Sequence, residues 1–206
     1  GEAAFYGPKI DIQFRTVTQI DAVTWTLTGL LRGRKGTEWA RSTHAIGDRF
    51  VLLGDETYVQ PATNAEINSP REFRGVTFGD YLDNVADVAF TYQAVSSKPL
   101  SPVLLGGGRD TANNLTINWT RRGRLAPEWT DYADIPLGED SESYEVEIWT
   151  SGYTTLKRTL TSTTPTVSYT AAQQTTDFGS PLGTHYVRVY QLSASVGRGT
   201  KLEGTV

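Results

Sequence analysis

The sequence predicts an all-β protein in which an irregular β domain is followed by a β-sandwich. Threonine, valine, tyrosine, tryptophan and glycine are abundant, and long runs of alanine, leucine, glutamate and lysine are absent. Such a composition favours strands over helices. Apolar and polar residues also alternate in many short segments, and glycine, proline, asparagine and aspartate separate these segments. Closely spaced strands joined by tight turns are therefore expected along the chain.

In the first half, the clearest alternation lies at residues 22–28, where Val23, Trp25 and Leu27 alternate with threonines. One apolar and one polar face predict a half-buried strand. Further strands and one short helical turn follow from the same kind of pattern. The strands are predicted at residues 10–14, 49–53, 73–78 and 85–92, and the helical turn near residues 80–85.

In the second half, Leu115, Ile117 and Trp119 alternate with polar residues in the same way. Further strands are predicted at residues 144–148, 156–160, 166–169, 185–192 and 200–206, with a long polar loop at residues 121–143. We expect Gly106–Gly108 to form a flexible turn between strands, because it lacks the context of a phosphate-binding loop. Six or seven short strands in about 105 residues are typical of a β-sandwich.

A stretch rich in serine and proline, residues 96–102, separates the two halves. Such a composition is typical of interdomain linkers. We therefore predict two domains, residues 1–96 and residues 97–206, each near the size of a small domain. Because the chain begins at Gly1 rather than at methionine, we expect a fragment or a processed product.

Composition excludes several classes of function. The chain has no cysteine, so disulfides, thiolate zinc sites and iron–sulfur clusters cannot form within it. The net charge is −4 and basic residues are spread over both halves, which argues against a nucleic-acid partner. No apolar run reaches about 18 residues, so we expect no membrane span and no signal peptide. We also expect no cofactor and no metal, since the acidic residues of the 121–143 loop match no calcium-loop spacing.

The most distinctive stretch is GLLRGRKGTEWA, residues 29–40. Its glycines allow the backbone to turn, and its charges cannot be buried without partners. We expect a strand to end here, a basic turn to face solvent, and Trp39 to return to an apolar surface. Arg32, Arg34 and Lys35 are candidate ligand-binding residues, because a glycine-rich basic loop can bind anions. The alternative is a structural role in ion pairs within or between subunits.

A second candidate site is the aromatic pair Trp129 and Tyr132 in the long polar loop. Exposed aromatic side chains stack on sugars or anchor protein interfaces, and loops on a rigid scaffold commonly carry recognition. The alternative is that both fold back onto the sandwich. No motif frames a catalytic nucleophile near His44, so we predict no catalytic residues and no enzyme, although a triad assembled in space leaves no sequence signal.

Residues 97–206 resemble a fibronectin type III domain. The residues that carry the resemblance are Pro102 at the entry, Trp119, Tyr144 with Val146, Val187 with Val189, and the turn at 196–199. There are two departures from that family. His185 stands where the family has its corner tyrosine, with Tyr186 one step out of phase, and the loop at residues 121–143 is unusually long.

Several blocks extend over both halves. The most specific is LTGLLRGRKGTEW at residues 27–39, and the others lie at residues 44–53, 119–122, 134–139, 144–148, 189–192 and 196–199. Together, residues 20–205 resemble the C-terminal part of the large hub and host-specificity proteins of siphophage and gene-transfer-agent tail tips. That resemblance implies a component of the virion tail, often trimeric, near the receptor-contacting tip. The implied partners are other tail proteins and a glycan or protein of a bacterial surface.

A third resemblance concerns only residues 1–13, GEAAFYGPKIDIQ, which look like a segment of threonyl-tRNA synthetases. This short match favours a junction or a rearranged origin.

From the resemblance of residues 20–205, the predicted function is a structural and host-recognition module of a phage-type tail tip. The alternative is an autonomous fibronectin-type adhesion or carbohydrate-binding module in an artificial or rearranged fusion.

Overall fold

The computed structural model describes residues 2–6, 10–55, 57–125 and 134–206. The chain divides into two compact units, Gly1–Ser97 and Lys98–Val206. In both units β-strands are the main regular secondary structure, so the predicted all-β class is confirmed. Among the described residues, no helix has the length and apolarity that a bilayer crossing requires.

Among its described residues, the first unit has eight short strands. They are β1 (Glu2–Tyr6), β2 (Asp11–Gln13), β3 (Thr16–Gln19), β4 (Trp25–Thr28), β5 (Leu31–Arg34), β6 (Arg49–Leu53), β7 (Pro70–Phe73) and β8 (Val88–Thr91). An antiparallel sheet contains four of them in the order β5-β2-β1-β6, and the pairs β3–β4 and β7–β8 are separate hairpins. Short 3-10 helices at Glu38–Ala40, Asn64–Glu66, Leu82–Asn84 and Val95–Ser97 connect these strands.

The first unit has a small core. Ile10, Ile12 and Ala40 form its buried cluster. The predicted alternation at residues 10–14 is therefore confirmed, because Ile10, Ile12 and Phe14 are all buried. The helical turn predicted near residues 80–85 is also confirmed at Leu82–Asn84.

Two predictions for the first unit are wrong. The strand expected at residues 73–78 instead covers Pro70–Phe73, where it pairs with β8. The segment at residues 22–28 is not half-buried, since the Trp25 side chain in β4 is 53% exposed and Val23 is 81% exposed. The cause is that β4 belongs to a two-stranded hairpin with β3, whose apolar residues Trp25 and Leu27 line an open cavity rather than a closed core.

The described part of the second unit, residues 98–125 and 134–206, has eight further strands. They are β9 (Val103–Arg109), β10 (Leu115–Thr120), β11 (Tyr144–Trp149), β12 (Leu156–Ser162), β13 (Thr166–Tyr169), β14 (Tyr186–Ser193), β15 (Gly197–Arg198) and β16 (Leu202–Thr205). One sheet has the order β13-β10-β9, and the other has the order β12-β11-β14 with β15 and β16 both paired to β14. Three strands on one sheet and the central β11–β14 pair on the other form the sandwich architecture of fibronectin-like domains.

The inward faces of these two sheets supply a continuous core. The burial pattern of β10 is strict alternation, with Leu115, Ile117 and Trp119 inside. The Trp119 and Tyr144 rings meet edge to face with centroids 5.0 Å apart, a favoured aromatic geometry. Residues from both sheets complete the cluster, namely Val146, Ile148, Tyr169, Val187 and Val189. The core predicted from alternation is thus the core observed.

The prediction that Gly106–Gly108 form a flexible turn is wrong, because these glycines lie inside β9 and pair with β10. A Cβ atom on Gly107 would lie 2.9 Å from the Val206 side chain, and one on Gly106 would lie 3.1 Å from the Asn118 amide. Glycine in a strand interior is commonly found where neighbouring groups approach closely. Gly107 therefore allows close packing of β9 against Val206, and Gly106 allows close packing against Asn118 of β10.

A short α-helix, α1 (Ala171–Phe178), connects β13 to β14 and was not predicted. Its N-terminus has a reciprocal capping box in which Thr170 and Gln173 bond to each other's backbone N–H groups. Gly179 ends the helix with φ 84°, the left-handed conformation that glycine adopts without strain. The helix carries Gln174, which is fully buried beside His185.

Candidate functional site: the basic turn and its cavity

The basic turn follows directly from β5. Gly33, Lys35 and Gly36 all have positive φ, at 80°, 50° and 78°. A positive φ is unfavourable for a residue with a Cβ, so Lys35 is held in a strained conformation. The turn thus reverses the chain between β5 and the 3-10 helix Glu38–Ala40, and it places Lys35 at its tip.

Arg32 is directed towards the segment after the 3-10 helix. Its Nη2 atom donates to the carbonyl oxygen of Arg41 at 2.6 Å and lies 2.7 Å from Nε2 of His44. Arg32 and Arg34 both remain exposed. In the described structure, Arg32 bonds to a carbonyl and an imidazole, so its role here is to fix the 41–44 segment.

Lys35 is the residue of the turn that pairs with an acid. Its ammonium lies 3.7 Å from Oδ2 of Asp11, and the Lys35 side chain is 56% exposed while that of Asp11 is 10% exposed. Thr37 fixes the same corner, because its hydroxyl donates to the Arg34 carbonyl at 2.7 Å and accepts from the Asp11 N–H at 2.9 Å. A half-exposed ion pair at this distance is weak.

Trp39 does not return to an apolar surface as expected, since its side chain is 52% exposed. Its neighbour Ala40 is fully buried with Ile10 and Ile12. Successive residues of a 3-10 helix point in directions about 120° apart, so a buried Ala40 directs Trp39 outwards. The residue that anchors the turn is therefore Ala40.

An open cavity of about 620 Å³ lies between the turn and the end of β8. Its walls are the turn side, with Lys35, Thr37 and Trp39, and the strand side, residues 89–96. The two walls are fixed by backbone packing, because a Cβ on Gly36 would lie only 2.4 Å from the Val95 carbonyl oxygen. The volume is in the usual range for small-ligand sites, about 300–1,000 Å³.

Ligand binding by the five predicted site residues stays a prediction. Trp129 and Tyr132 lie outside the described residues. Arg32, Arg34 and Lys35 lie in the basic turn at the positions given above. Within the described part of the chain, no cluster of three or more His, Cys, Asp or Glu side chains has the arrangement of a metal site.

The first unit exposes an unusual amount of apolar side chain. Among the described residues, twenty of the twenty-four exposed large apolar side chains lie between Val17 and Phe90. One group forms an apolar cavity of about 310 Å³, lined by Phe14, Val17, Trp25, Leu27, Phe50 and Leu52. Contiguous exposed apolar surface of this kind marks interaction sites. Phe50 and Leu52 also lie on β6, an edge strand of the four-stranded sheet, and an open apolar edge favours pairing with another chain.

The outer face of the larger sheet in the second unit is different, because its aromatic and charged side chains are paired with one another. The Arg188 guanidinium lies 4.6 Å from the ring centroids of both Trp149 and Tyr153, and its Nε donates to Glu203 at 2.6 Å. Arg198 stacks on Tyr190 at 4.3 Å and donates to Glu147 at 2.8 Å. The arginines of this face find their aromatic and acidic partners within the same unit, which is typical of a unit that folds without a partner.

Comparison with known proteins gives one family model and 28 chains of solved structures. The family model described as Rcc01698-like, C-terminal matches residues 11–51, the segment that contains the basic turn. No curated protein matches the chain, and the resemblance of residues 1–13 to threonyl-tRNA synthetases has no support from these comparisons. The FN5 domain of Drosophila Lar is 14% identical over 52% of this chain and 94% of its own, with a TM-score of 0.32.

Another of these structures is the extracellular region of rat CD45, domains d3–d4, which is 13% identical over 93% of this chain and 94% of its own, with a TM-score of 0.33. Scores at this level add nothing to the assignment of the fold, which rests on the strand order of the second unit. The chain is thus an all-β protein with a fibronectin-like second unit. Its first unit shares the basic-turn segment with the Rcc01698-like family.

Proposed function

We propose that this chain is a structural and host-recognition module of a phage-type tail tip, in the virion tail. The observation that carries the proposal is the contrast between the two units. The first exposes most of the large apolar side chains, including those of the 310 Å³ cavity. The second has a closed core and a self-paired outer face. An assembly unit joined to a presentation unit explains this contrast.

The family match supports the assignment of the assembly role to the first unit. It covers residues 11–51, and five of the six residues that line the 310 Å³ apolar cavity lie within residues 14–50. In this proposal, other tail proteins or further copies of the chain cover that surface. The second unit then presents its loops to a bacterial surface, and display of several copies multiplies a weak single-site affinity.

The proposal is tested by the mass of the purified chain in light scattering and by binding to bacterial envelopes. A trimer, three times 22.6 kDa, that binds envelopes is the expected result. Leu52→Glu places a charge on the exposed edge strand, where Leu52 is 59% exposed, and should give a monomer. Leu156→Glu is the matched control, because Leu156 is 42% exposed on the second unit, and it should leave the trimer intact.

The second candidate is an autonomous fibronectin-type adhesion or carbohydrate-binding module. The internally paired face around Arg188 favours it, because such a unit needs no partner to be stable. A wild-type chain that stays monomeric at all concentrations and still binds glycans would support this function and contradict the tail-tip assembly. Neither function requires catalysis, and we propose that the chain is not an enzyme.

A further inference from the structure

We propose that the 620 Å³ cavity beside the basic turn is a carbohydrate site in which a pyranose ring stacks on Trp39. This deepens the recognition role proposed above and rests on it in part. It adds a recognition surface on the first unit to the loops that the second unit presents, and it names the ligand class as a pyranose oligosaccharide.

The first argument is the aromatic content of the cavity. Trp39 is 52% exposed and Phe90 is 44% exposed, and Tyr92 completes the set on the strand side. Aromatic faces bind the apolar C–H faces of sugar rings, whereas a purely aliphatic wall offers no such flat platform. Trp39 cannot move into the core, because the adjacent Ala40 already occupies that position.

The second argument is the polar content, which separates this cavity from the 310 Å³ one. Lys35 and Thr37 contribute from the turn, and Thr91, Gln93 and Ser96 contribute from the strand side. A mostly apolar pocket with a few convergent polar groups is the usual form of a small-ligand site. Hydroxyl, amide and ammonium groups together supply both donors and acceptors, which a ring of sugar hydroxyls requires.

The third argument is that the site is already formed. The Gly36 backbone packs directly against the Val95 carbonyl, and Thr37 bonds to both Arg34 and Asp11. Lys35, at the turn with φ 50°, lines the opening, and its ammonium lies 3.7 Å from Oδ2 of Asp11. A rigid, preformed site reduces the entropy lost when a ligand binds.

The test uses the full chain and three hexasaccharides as probes: cellohexaose, chitohexaose and hexagalacturonate. They share pyranose rings but differ in N-acetyl and carboxylate groups. Binding is followed by the indole N–H resonance of Trp39, assigned with Trp39→Phe. At least one probe should shift the Trp39 resonance and leave that of Trp25 unchanged. If none of the three shifts Trp39, the carbohydrate site is wrong.

Three variants separate stacking from folding. Trp39→Ala should weaken binding about tenfold, as expected for the loss of one aromatic contact, and Trp39→Phe should retain most of the affinity. Trp25→Ala is the matched control, because Trp25 is 53% exposed in the same unit but lines the other cavity. An equal loss of affinity in Trp25→Ala and Trp39→Ala would overturn the proposal. Lys35→Ala should weaken hexagalacturonate more than cellohexaose.

The same samples distinguish this proposal from the assembly proposal. Light scattering reports the number of chains, and the Trp39 resonance reports the cavity. A monomer in which Trp39 responds to a hexasaccharide contradicts the assembly role and keeps the carbohydrate site. A trimer in which none of the three probes shifts the Trp39 resonance contradicts the carbohydrate site and keeps the assembly role.

Discussion

Gly36 lies against the backbone of Val95, so closely that a Cβ atom at Gly36 would be 2.4 Å from the Val95 carbonyl oxygen. The two residues are far apart in sequence, yet this contact connects the basic turn to the last segment of the first unit. The nearby Ala94 has φ 49° and is buried, so the backbone is constrained on both sides. The glycine-rich turn is thus a packing element, and the cavity beside it depends on this contact.

Gly36→Ala should destabilise the first unit by about 3 kcal/mol, from the cost of a positive φ and from steric overlap with Val95. Gly47→Ala is the matched control, because Gly47 also has a positive φ, 94°, but no atom lies within 4 Å of its Cβ position. It should cost about 1 kcal/mol from backbone strain alone. Urea unfolding followed at the Trp25 and Trp39 indole resonances measures the free energy of unfolding of both variants. Equal losses in the two variants would contradict the role of the Val95 contact.

The same logic applies to the glycines of β9. Gly107→Ala should destabilise the second unit by about 1–3 kcal/mol, because its Cβ would lie 2.9 Å from the Val206 side chain and the core would be overpacked. Gly108→Ala is the control, since no atom lies within 4 Å of its Cβ position. It should stabilise the unit slightly, by about 0.4–1 kcal/mol, through the unfolded chain. Urea unfolding of the second unit would show opposite signs for the two variants.

Much of the second unit could be predicted from sequence, because its core follows simple alternation. Leu115, Ile117 and Trp119 alternate in the sequence and are all buried. The helix at residues 171–178 was missed since it is short and its one buried residue, Gln174, is polar. Its capping box, Thr170 with Gln173, was the sequence signal that could have indicated it.

Less of the first unit could be predicted, because burial there depends on contacts that alternation does not encode. Val23 and Trp25 have the pattern of a half-buried strand, yet Val23 is exposed and Trp25 borders an open apolar cavity. The cavity could not be predicted either, since it forms where Trp39 and residues 89–96 meet. Trp39 was expected to anchor the turn, but small Ala40 fills the core position.

Arg188 should stabilise the second unit through stacking as well as charge. Arg188→Ala removes contacts to Trp149, Tyr153 and Glu203, and the free energy of unfolding should fall by about 1–2 kcal/mol. Arg188→Lys keeps the charge but loses the planar group that stacks on both rings, so its loss should be intermediate. Urea titrations measure both variants. A lysine variant as stable as wild type would show that charge alone accounts for the effect.

His185 should make the second unit sensitive to mild acid. It is buried with Tyr169 and Phe178 around its ring, and its Nε2–H donates to Oε1 of Gln174, which also accepts from Arg109. Burial lowers the pKa of His185, the Arg109 charge lowers it further, and Asp177 opposes the shift. The folded state therefore holds His185 neutral at a pH where the unfolded chain binds a proton.

The sign of the pH dependence follows from that difference. The unfolded imidazole titrates near pH 6.5, so the contribution of His185 is fully present above that pH. It is lost as the pH falls from about 6.5 towards the lower folded pKa, because only the unfolded state gains a proton in that window. The carboxylates with lowered pKa values, Asp177 and Glu203, lose their contributions only at lower pH.

His185→Phe provides the decisive comparison. Phenylalanine keeps the ring contacts with Tyr169 and Phe178 but cannot be protonated, so the variant should lose some stability at about pH 7.5 through loss of the hydrogen bond between His185 and Gln174. Its free energy of unfolding should then change little between about pH 7.5 and 5.5, whereas that of the wild type falls. Urea unfolding of the second unit gives the free energies of unfolding of the wild type and the variant at both pH values. If the wild type and the variant lost equal stability over this range, another group would be responsible, and the neutral His185 would have no part in the response to acid.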